Sequence, residues 1–584
     1  KETEKRLLKA RTKYLTAPLI RELVNGILIE KGLEEYRHKI TRLGLPVHDV
    51  SHMLSRGKTA YSAFSLCEEF GKNVLGEYAL LNVLPRDVAD AHLSGEIHLE
   101  ELGYWILKPS EVVHDLRVFL KKADVPPLSR GPPKSLDSAL NLALNILLHS
   151  AKEVSGIQTL EYFNLFLAPF LKGFEEAHAK ELLRQFILNV SQHVDASINI
   201  ELTVPSFLAD KQVDAVNFSS VYGDFQDECL LLARLILEVL AEESAVKPIL
   251  NPKVIVKLRF EAFKDEKAVD VLLKAHQLAV NGNALYFASF LGGNDEHAVF
   301  SPSGCTLKQD FKGDWEIDTL RAGVLGNATV NMPRIAYECG GDKAKFFALL
   351  RERLEMATRA LEIKFRMLKL RGGGFLFQTV NGDPYYRLEN SARMINLVGL
   401  KEAVEAFNEK SVHEDESSSR FALETVQFAS ELLQKSEKRR GKRTLLATMP
   451  SKEASSRLAK QDIERFGVAK TRFHGTRDKP YYSSFCSLSL QNLEASLKTL
   501  AVEKEFYKHL DGNLTVLELG EAEHNVEALL SFTRRLAEGY GVSLFTYNRN
   551  LTYCSQCRKS MLGVLHKCPG CGSVGTLTVF RRYP

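Results

Sequence analysis

Four cysteines near the end of the chain have the spacing of a metal site. They form two Cys-x-x-Cys pairs separated by ten residues, namely Cys554, Cys557, Cys568 and Cys571. Each pair can direct two sulfur atoms at one ion, and the proline and glycines around the second pair favour the tight turn that this requires. Four thiolates suit zinc and leave no open position on the ion. The sequence therefore predicts a structural zinc site.

Cys305 is a second candidate for chemistry because of the loop that contains it. The segment Phe300-Ser-Pro-Ser-Gly304-Cys305 includes a proline and a glycine, which predict a turn between strands. A thiol on such a loop is placed for reaction, whereas structural cysteines usually lie on apolar faces. The residues alone leave both roles open.

The segment Thr448-Met-Pro-Ser451-Lys452-Glu453-Ala454 lies where a predicted strand ends and a helix begins. Free N–H groups at a helix start, together with the helix dipole, favour a bound phosphate. Ser451 is equally typical of an ordinary helix cap with Glu453 in the first turn. Asn331 and Arg334 follow another strand, where a ligand contact and an internal ion pair are both compatible with the pattern.

The elements that must position these residues alternate between strand and helix from residue 196 onward. This pattern predicts a parallel sheet, either open or closed into a barrel. The predicted strands are 197–204, 254–258, 285–287, 329–333, 394–398, 444–449, 514–519 and 542–546. Residues 135–194 have helical periodicity throughout, and the charge-rich spans 409–420 and 436–443 are predicted to be solvated linkers.

The composition is that of an ordinary globular protein. The 584 residues are 45% hydrophobic and 26% charged, and the net charge of +4 is too small to indicate a nucleic-acid or anionic membrane partner. There is no run of about eighteen apolar residues, so no transmembrane helix is expected. The five cysteines outside the tail are scattered, which favours a reducing, cytoplasmic location.

Several motifs occur in an order that resembles one known family, and the resemblance runs from about residue 75 to the end. The chain is similar to the catalytic subunit of class III, anaerobic, glycyl-radical ribonucleotide reductases. The matching segments are the Cys305 loop, Asn331-Met-Pro-Arg334, Met394-Ile-Asn-Leu-Val-Gly399, Ala447-Thr-Met-Pro450, Leu517-Glu-Leu-Gly520 and the four-cysteine tail.

The resemblance implies a ten-stranded α/β barrel with the Cys305 loop threaded through it. It divides the chain into a helical remnant at 1–46, whose residues 10–46 are similar to the end of an ATP-cone, and a helical layer with a polar His/Glu segment at 47–195. The α/β barrel follows at 196–550. A zinc ribbon and the start of the radical-bearing tail occupy 551–584.

The function implied by the resemblance is reduction of ribonucleoside triphosphates to deoxyribonucleoside triphosphates. Cys305 is expected to carry a thiyl radical and Asn331 to donate to a sugar hydroxyl. The residues expected to bind substrate are His98, Ser451, Lys452 and Ala454. The family also implies a glycyl radical, expected just beyond Pro584 and made by a radical-SAM iron–sulfur activase. Nucleoside triphosphate effectors with magnesium and a homodimer are further expectations, with no membrane and no direct nucleic-acid contact.

Three departures from the family pattern leave alternatives open. The tail Arg581-Arg-Tyr-Pro584 matches the family up to the position before the radical glycine. His98-Leu-Glu-Glu101 stands where the family has His-x-His-Asp, and Lys108–His114 has no cysteine where formate-using members have one. A non-catalytic nucleotide-binding paralogue is therefore an alternative. The low net charge argues against a zinc-ribbon nucleic-acid protein, the other alternative.

Overall fold

The structure is a computed structural model whose described residues divide into two compact units. The described residues are 1–10, 17–40, 42–56, 62–122, 128, 131–215, 219–291, 293, 295–380, 382–484, 486–521 and 524–583. The first unit is Lys1–Val83 and the second is Leu84–Pro584. The first unit therefore continues past the predicted domain boundary at residue 46.

The first unit is helical within its described residues. Its last helix begins after Ser62, whose hydroxyl accepts a hydrogen bond from the backbone N–H of Ser65 at 3.2 Å, as expected of a cap. The helices are α1 (Glu2–Ala10), α2 (Ala17–Glu30), α3 (Glu34–Ile40), α4 (Val47–Arg56) and α5 (Ala63–Tyr78), followed by a π-helical turn at Ala79–Val83.

The second unit contains the strands, most of them short. They are β1 (Ile97–Leu99), β2 (Val112–His114), β3 (Gln158–Leu160), β4 (Ala196–Ile200), β5 (Lys253–Leu258), β6 (Leu285–Ser289), β7 (Val299–Phe300), β8 (Thr306–Leu307), β9 (Val324–Asn331), β10 (Thr379–Val380), β11 (Asp383–Pro384), β12 (Ala392–Val398), β13 (Thr444–Thr448), β14 (His474–Thr476), β15 (Lys479–Tyr481), β16 (Cys486–Ser489), β17 (Gly512–Asn513), β18 (Thr515–Glu518), β19 (Leu544–Asn548), β20 (Leu551–Cys554), β21 (Lys559–Leu562) and β22 (Leu577–Phe580).

Eleven of these strand segments form two parallel halves. Strands β2 to β6 are parallel neighbours in sequence order. In the second half, β9, β12, β13 and β17 are parallel, and β18 pairs in parallel with β19. Only Leu514 separates β17 from β18, so these two form one kinked strand. The second half therefore also counts five strands.

The two halves meet at two antiparallel junctions and close a ring. Strand β19 pairs with β6. At the other junction, Val113 exchanges backbone hydrogen bonds with Arg321 and Ala322 at 2.9 and 2.7 Å. Gly323 permits this approach because a Cβ there would collide with the backbone carbonyl of Glu111. With β17 and β18 counted as one, ten strands thus form a closed ring, as expected of a barrel.

Helices cover the outside of this ring. They are α6 (Arg86–Ser94), α7 (Arg117–Lys122), α8 (Leu136–Ser150), α9 (Phe163–Leu167), α10 (Glu176–His193), α11 (Ser206–Ala209), α12 (Gln226–Val246), α13 (Glu266–Val280), α14 (Trp315–Thr319), α15 (Met332–Cys339), α16 (Lys343–Arg371), α17 (Leu400–Asn408), α18 (Glu416–Arg440), α19 (Lys452–Phe466), α20 (Leu493–Tyr507) and α21 (Val526–Tyr540). Helix α16 packs on β9 and β12, and α18 packs on β13. Within the described residues, no helix has both the length and the apolar character needed to cross a membrane.

Three predictions about the elements are wrong. The helical periodicity of 135–194 is interrupted by β3, which with β2 lies in the same sheet as the later strands, so the predicted division at 195–196 cuts through that sheet. The predicted strand 329–333 ends at Asn331, where α15 begins. The charged spans 409–420 and 436–443 are not simply linkers, because α18 occupies residues 416–440.

Candidate functional site

Cys305 lies at the tip of a hairpin inside the ring of strands. The hairpin is formed by β7 and β8, and the backbone N–H of Ser301 donates to the carbonyl of Cys305 at 2.9 Å. Cys305 also forms an antiparallel bridge with Gly512, which places the tip against the kinked strand β17–β18. The thiol is 2% exposed. The prediction that Cys305 lies on a loop between strands is confirmed.

The surroundings of Cys305 favour a neutral thiol. Burial raises the pKa of the Cys305 thiol well above its usual range, and the nearby carboxyl of Glu111 raises this pKa further. A neutral S–H group suits the transfer of a hydrogen atom, for which no thiolate is required. The local electrostatics therefore fit radical chemistry better than nucleophilic chemistry at this residue.

Gly304 is required for the shape of the hairpin tip, and this yields a first prediction. Its φ of +108° is disfavoured for other residues, and a Cβ would lie 3.2 Å from Cγ of Met449 and 3.3 Å from backbone atoms of Asn513. Gly304→Ala is expected to displace Cys305 and to lower turnover by about 100-fold, the usual effect of a displacement of about 1 Å at a reacting group. Turnover and thermal unfolding should be measured together.

The matched control for this prediction is Gly313→Ala. Gly313 also has a positive φ, at +79°, but a Cβ there meets nothing within 4 Å. It should cost some stability through its backbone conformation and leave turnover nearly unchanged. Equal turnover in the two variants would show that the tip tolerates a side chain and that Gly304 does not set the position of Cys305.

A buried polar network holds the other side of the hairpin. Asn199 donates to the carbonyl of Phe300 at 2.9 Å and to the carboxylate of Glu161 at 2.7 Å. Lys257 forms ion pairs with Glu161 and, at 3.1 Å, with Glu201. Since all four side chains are fully buried, this network fixes β7 to the interior faces of β4 and β5.

A cleft of about 640 Å³ opens at the end of the ring where β4, β5 and β6 begin. Its lining includes Pro302 of the hairpin and Pro450, the residue before Ser451. Arg582 and Tyr583 of the C-terminal tail also line it. The cleft therefore joins the reactive hairpin, the start of α19 and the tail, and its size suits a ligand.

Two of the predicted substrate-binding residues, His98 and Ser451, lie in one polar cluster through Glu100. Ser451 donates a short hydrogen bond to Glu100, and Thr329 donates to the same carboxylate at 3.2 Å. The buried His98 places its Nε2 3.5 Å from Glu100. Despite burial, which alone would raise it, the pKa of Glu100 is lowered because His98, Ser451 and Thr329 stabilise the carboxylate.

The same cluster does not fit a bound metal ion well. His98, Glu100 and Glu453 have ligand atoms within 4.8 Å of one another. The guanidinium of Arg457, however, lies 3.2 Å from Nδ1 of His98, and a guanidinium can only donate. Nδ1 is then the acceptor, and Nε2 carries the hydrogen and faces Glu100. That nitrogen is not free to coordinate a cation.

The start of α19 has the geometry of a capped helix. The backbone N–H of Ala454 donates to the hydroxyl of Ser451 at 3.3 Å, so this predicted phosphate donor is already used by the cap. Lys452 is exposed on the first turn. The N–H groups of Lys452 and Glu453 are those that a capped helix leaves for a ligand. At this helix start, the N–H groups that remain available to a phosphate are therefore those of Lys452 and Glu453.

Asn331 caps a helix and hydrogen bonds to other residues of the protein, instead of making the predicted contact with a sugar hydroxyl. It caps α15, because its side-chain oxygen accepts from the N–H of Arg334 at 3.2 Å. Its amide hydrogens are donated to the carbonyl of Gly95 at 2.8 Å and to Asp462 at 3.0 Å. Since both hydrogens are used inside the protein, Asn331 has none left to donate to a sugar hydroxyl.

The four tail cysteines converge as predicted. The Sγ atoms of Cys554 and Cys571 are 3.6 Å apart, as are those of Cys557 and Cys568, and all four lie within 4.8 Å of one another. Tetrahedral zinc with Zn–S bonds of about 2.3 Å would place its sulfur ligands about 3.8 Å apart. The donor set and its geometry therefore fit zinc. Strands β20, β21 and β22 form the antiparallel ribbon around the cluster.

The tail that follows the ribbon hydrogen bonds to two strands of the ring. After β22, Arg582 donates to the carbonyl of Tyr547 and, at 3.1 Å, to the hydroxyl of Thr546, both on β19. Tyr583 then hydrogen bonds to Tyr286 of β6 at 2.9 Å. Tyr583 packs on the interior cluster that includes Phe300 of the hairpin. The predicted radical position beyond Pro584 lies outside the described residues, but the chain leading to it lies beside the Cys305 hairpin.

One residue of this site, Glu111, was not predicted from the sequence. Its carboxyl lies beside the hairpin, where the hydroxyls of Ser301 and Ser303 hydrogen bond to it. No motif contains Glu111, and it precedes a strand of only three residues, so neither spacing nor periodicity could identify it. The available signal was its position in the segment where part of the family has a cysteine.

Relatives of the chain are found by sequence among curated proteins. A family model described as anaerobic ribonucleoside-triphosphate reductase matches residues 58–583. The anaerobic ribonucleoside-triphosphate reductase of Escherichia coli K12 is 25% identical over 495 residues, which cover 78% of this chain and 68% of that protein. The enzyme of the same name from Haemophilus influenzae is 25% identical over 502 residues, with the same shares covered.

The fold is also similar to solved structures. The anaerobic ribonucleotide reductase from Thermotoga maritima in complex with dATP and CTP matches with a TM-score of 0.72 and 18% identity, covering 97% of this chain and 98% of that one. The same enzyme with MES in its active site gives 0.73 and 17%, covering 97% and 99%. The fold is therefore shared, and the family model covers most of the sequence. This chain belongs to the anaerobic ribonucleoside-triphosphate reductase family.

Proposed function

We propose that this chain reduces ribonucleoside triphosphates to deoxyribonucleoside triphosphates, with Cys305 as the residue that removes a hydrogen atom from the substrate. The observation that carries the proposal is the meeting of three elements at one cleft. The Cys305 hairpin, the segment before α19 and the tail residues Arg582 and Tyr583 all contribute to this end of the ring. Membership of the family supplies the reaction class.

The radical is expected to come from the residues that follow Pro584. A glycyl radical there, made by a radical-SAM iron–sulfur activase, would supply the unpaired electron that Cys305 needs. The residues of this chain would hold the tail that carries the radical close to the Cys305 hairpin. Arg582 and Tyr583 anchor the tail on β19 and β6, and the bridge to Gly512 anchors the hairpin. Burial keeps the Cys305 thiol neutral until it reacts.

The substrate would lie in the cleft with its ribose at Cys305 and its phosphates toward α19. The first-turn N–H groups of Lys452 and Glu453, with the ammonium of Lys452, can bind phosphate oxygens. His98 and Ser451 would support this end through Glu100, which orients the hydroxyl of Ser451. We therefore propose the first turn of α19 as the phosphate contact, with His98 and Ser451 as residues that position it through Glu100. Asn331 would position α15.

The proposal also includes regulation by nucleotides and assembly into a dimer. A related enzyme has been solved with dATP and CTP, and another structure of it has dATP in a specificity site. By this likeness we expect nucleoside triphosphate effectors, accompanied by magnesium, and a homodimer for this chain as well.

The test is a direct assay of the reaction under anaerobic conditions. The full-length product of the gene is treated with an iron–sulfur activase and S-adenosylmethionine and given each ribonucleoside triphosphate. Deoxyribonucleotides should form, and the glycyl signal should appear by electron paramagnetic resonance. A protein that binds nucleotide but forms no product after the signal has appeared would favour the alternative of a non-catalytic paralogue.

A further inference from the structure

Glu111 lies at the junction of the two halves of the ring. Its backbone N–H donates to the carbonyl of Val324 at 2.9 Å, at the start of β9. Its half-buried side chain reaches the hairpin, where its carboxyl and the hydroxyls of Ser301 and Ser303 are hydrogen-bonding partners. The hydroxyl of Tyr386 contacts its backbone carbonyl at 3.4 Å. Glu111 is thus fixed at its backbone and directed toward the hairpin at its carboxyl.

A short hydrogen-bonded path connects this carboxyl to Cys305. Ser303 donates to the hydroxyl of Ser301 at 3.1 Å, and the backbone N–H of Cys305 donates to the hydroxyl of Ser303 at 3.4 Å. One serine therefore touches both the carboxyl of Glu111 and the backbone of Cys305. The carboxyl and the Cys305 thiol are also close enough for the charge of Glu111 to raise the pKa of the thiol.

The surroundings of Glu111 keep its carboxyl partly protonated at neutral pH. Burial raises the pKa of Glu111 to about 7, and hydrogen bonds from Ser301 and Ser303 only partly offset this. The charged or titratable groups that face it on neighbouring elements are Glu101, Asp195, Cys305 and Tyr386. Glu101 and Asp195 raise the pKa of Glu111 further, because a second negative charge nearby is unfavourable.

Other carboxyl groups near the hairpin are already engaged. Glu161 and Glu201 form buried ion pairs with Lys257, and Glu201 also pairs with Arg259 at 2.9 Å. A carboxyl group that is paired with a cation in this way is already committed to a contact inside the protein. Of Glu111, Glu161 and Glu201, Glu111 alone has hydroxyl groups of the hairpin, and no cation, among the groups that shift its pKa.

We propose that Glu111 is a catalytic acid, which gives a proton to the 2′-oxygen of the ribose when that group leaves as water. The inference depends on the proposed function, because it needs a substrate radical generated by Cys305. It assigns a residue to the proton transfer that must accompany the loss of a hydroxyl group.

The step balances without an external oxidant or reductant. The sulfur radical of Cys305 first takes the 3′ hydrogen atom, which forms S–H and leaves a radical at C3′. The carboxyl of Glu111 then donates its proton to the 2′-oxygen, the C2′–O bond breaks with its electron pair, and water departs. The carboxylate takes up the proton of the 3′-hydroxyl, so a 3′-ketone forms and the unpaired electron lies at C2′. The later two-electron reduction is a separate step that needs its own reductant.

The first test compares Glu111→Gln with the unchanged protein after activation. The amide keeps the shape and accepts the same serine hydroxyls, but it has no acidic proton. Deoxyribonucleotide formation should fall by at least about 100-fold, the usual contribution of a general acid. Tritium from the 3′-position of the substrate should still be released to solvent, because Cys305 can still remove and return the hydrogen. Glu111→Asp should recover part of the product formation.

The outcomes distinguish a failure of the proposed function from a failure of the role proposed for Glu111. No tritium release and no product from the unchanged protein would overturn the proposed function. Normal product formation in Glu111→Gln would overturn the role of Glu111 alone. Loss of both product and tritium release in a folded Glu111→Gln protein would also overturn it, since the residue would then only position the hairpin.

The pH dependence supplies an independent readout. An acid must be protonated to act, so product formation should decline as the pH rises through about 7. Glu437→Gln is the matched control, because burial raises the pKa of Glu437 on α18 to about 7 as well. That variant should keep the activity and the decline with pH. The infrared signal of protonated carboxyls should be compared in the Glu437→Gln background, without activation. There, a component that titrates near pH 7 should be lost when Glu111→Gln is added, and its persistence would contradict the assignment.

Discussion

Cys305→Ala is expected to abolish deoxyribonucleotide formation, with a loss of at least about four orders of magnitude. The thiol is the group proposed to take the hydrogen atom from the ribose, and a methyl group cannot form a sulfur radical. Removal of a group that reacts covalently with substrate generally costs far more than removal of a binding contact. Product formation and 3′-tritium release should both disappear, because both depend on the same S–H bond.

The fold of this variant should be retained. Cys305 is buried beside Gly512, and its sulfur makes no hydrogen bond among those observed at the hairpin, so alanine leaves only a small cavity. Cys339→Ala is the matched control, since Cys339 is also a buried thiol but lies on α15 outside the ring. It should keep most of the activity. Substantial turnover by Cys305→Ala would show that another residue takes the hydrogen atom.

The sequence was sufficient to predict the parts of the site that depend on turns and on covalent spacing. Pro302 and Gly304 mark the hairpin, and the turn that they predict is the one that brings Cys305 to Gly512. The zinc cluster follows in the same way from two Cys-x-x-Cys pairs, because a pair fixes its own geometry locally. Neither prediction needed the position of distant elements.

The sequence could not predict contacts that depend on side-chain direction across the fold. Asn331 ends a strand, and its residue type fits a ligand contact as well as a helix cap. The position of Asp462, on a helix more than a hundred residues later, decides in favour of the cap. Glu111 precedes the three-residue strand β2, which is too short to show a period of two.

Charge also gave a misleading signal on α18. The predicted linkers at 409–420 and 436–443 are rich in charged residues, but the helix buries one face against β13 and leaves the charges in solvent. The helix ends were recognisable from the sequence. Asp415 accepts a hydrogen bond from the N–H of Ser418 at 2.9 Å, and Gly441 adopts the left-handed conformation that often follows a helix.

Loss of zinc is expected to have the second largest effect, and Cys568→Ser tests it. Zinc binding by a four-thiolate site contributes on the order of 10 kcal/mol to the folding of the segment that holds it. Without the metal, the segment between β21 and β22 has little else to fix it, since the knuckle residues on either side of Cys568 are largely exposed. The variant should contain much less than the one zinc per chain expected of the unchanged protein.

Activity should be lost in Cys568→Ser while the ring of strands persists. Strand β22 pairs with β20, and the residues after it carry the anchors of Arg582 on β19 and Tyr583 on β6. Hydrogen exchange should therefore increase over residues 551–583, while β5, β6 and β12 remain protected. The glycyl signal and turnover should decline together, because the tail no longer reaches the hairpin. Cys229→Ala, which removes a buried thiol on α12, is the control and should retain zinc. If Cys568→Ser keeps a full complement of zinc, or loses zinc and still forms the radical and product normally, then the ribbon does not position the tail.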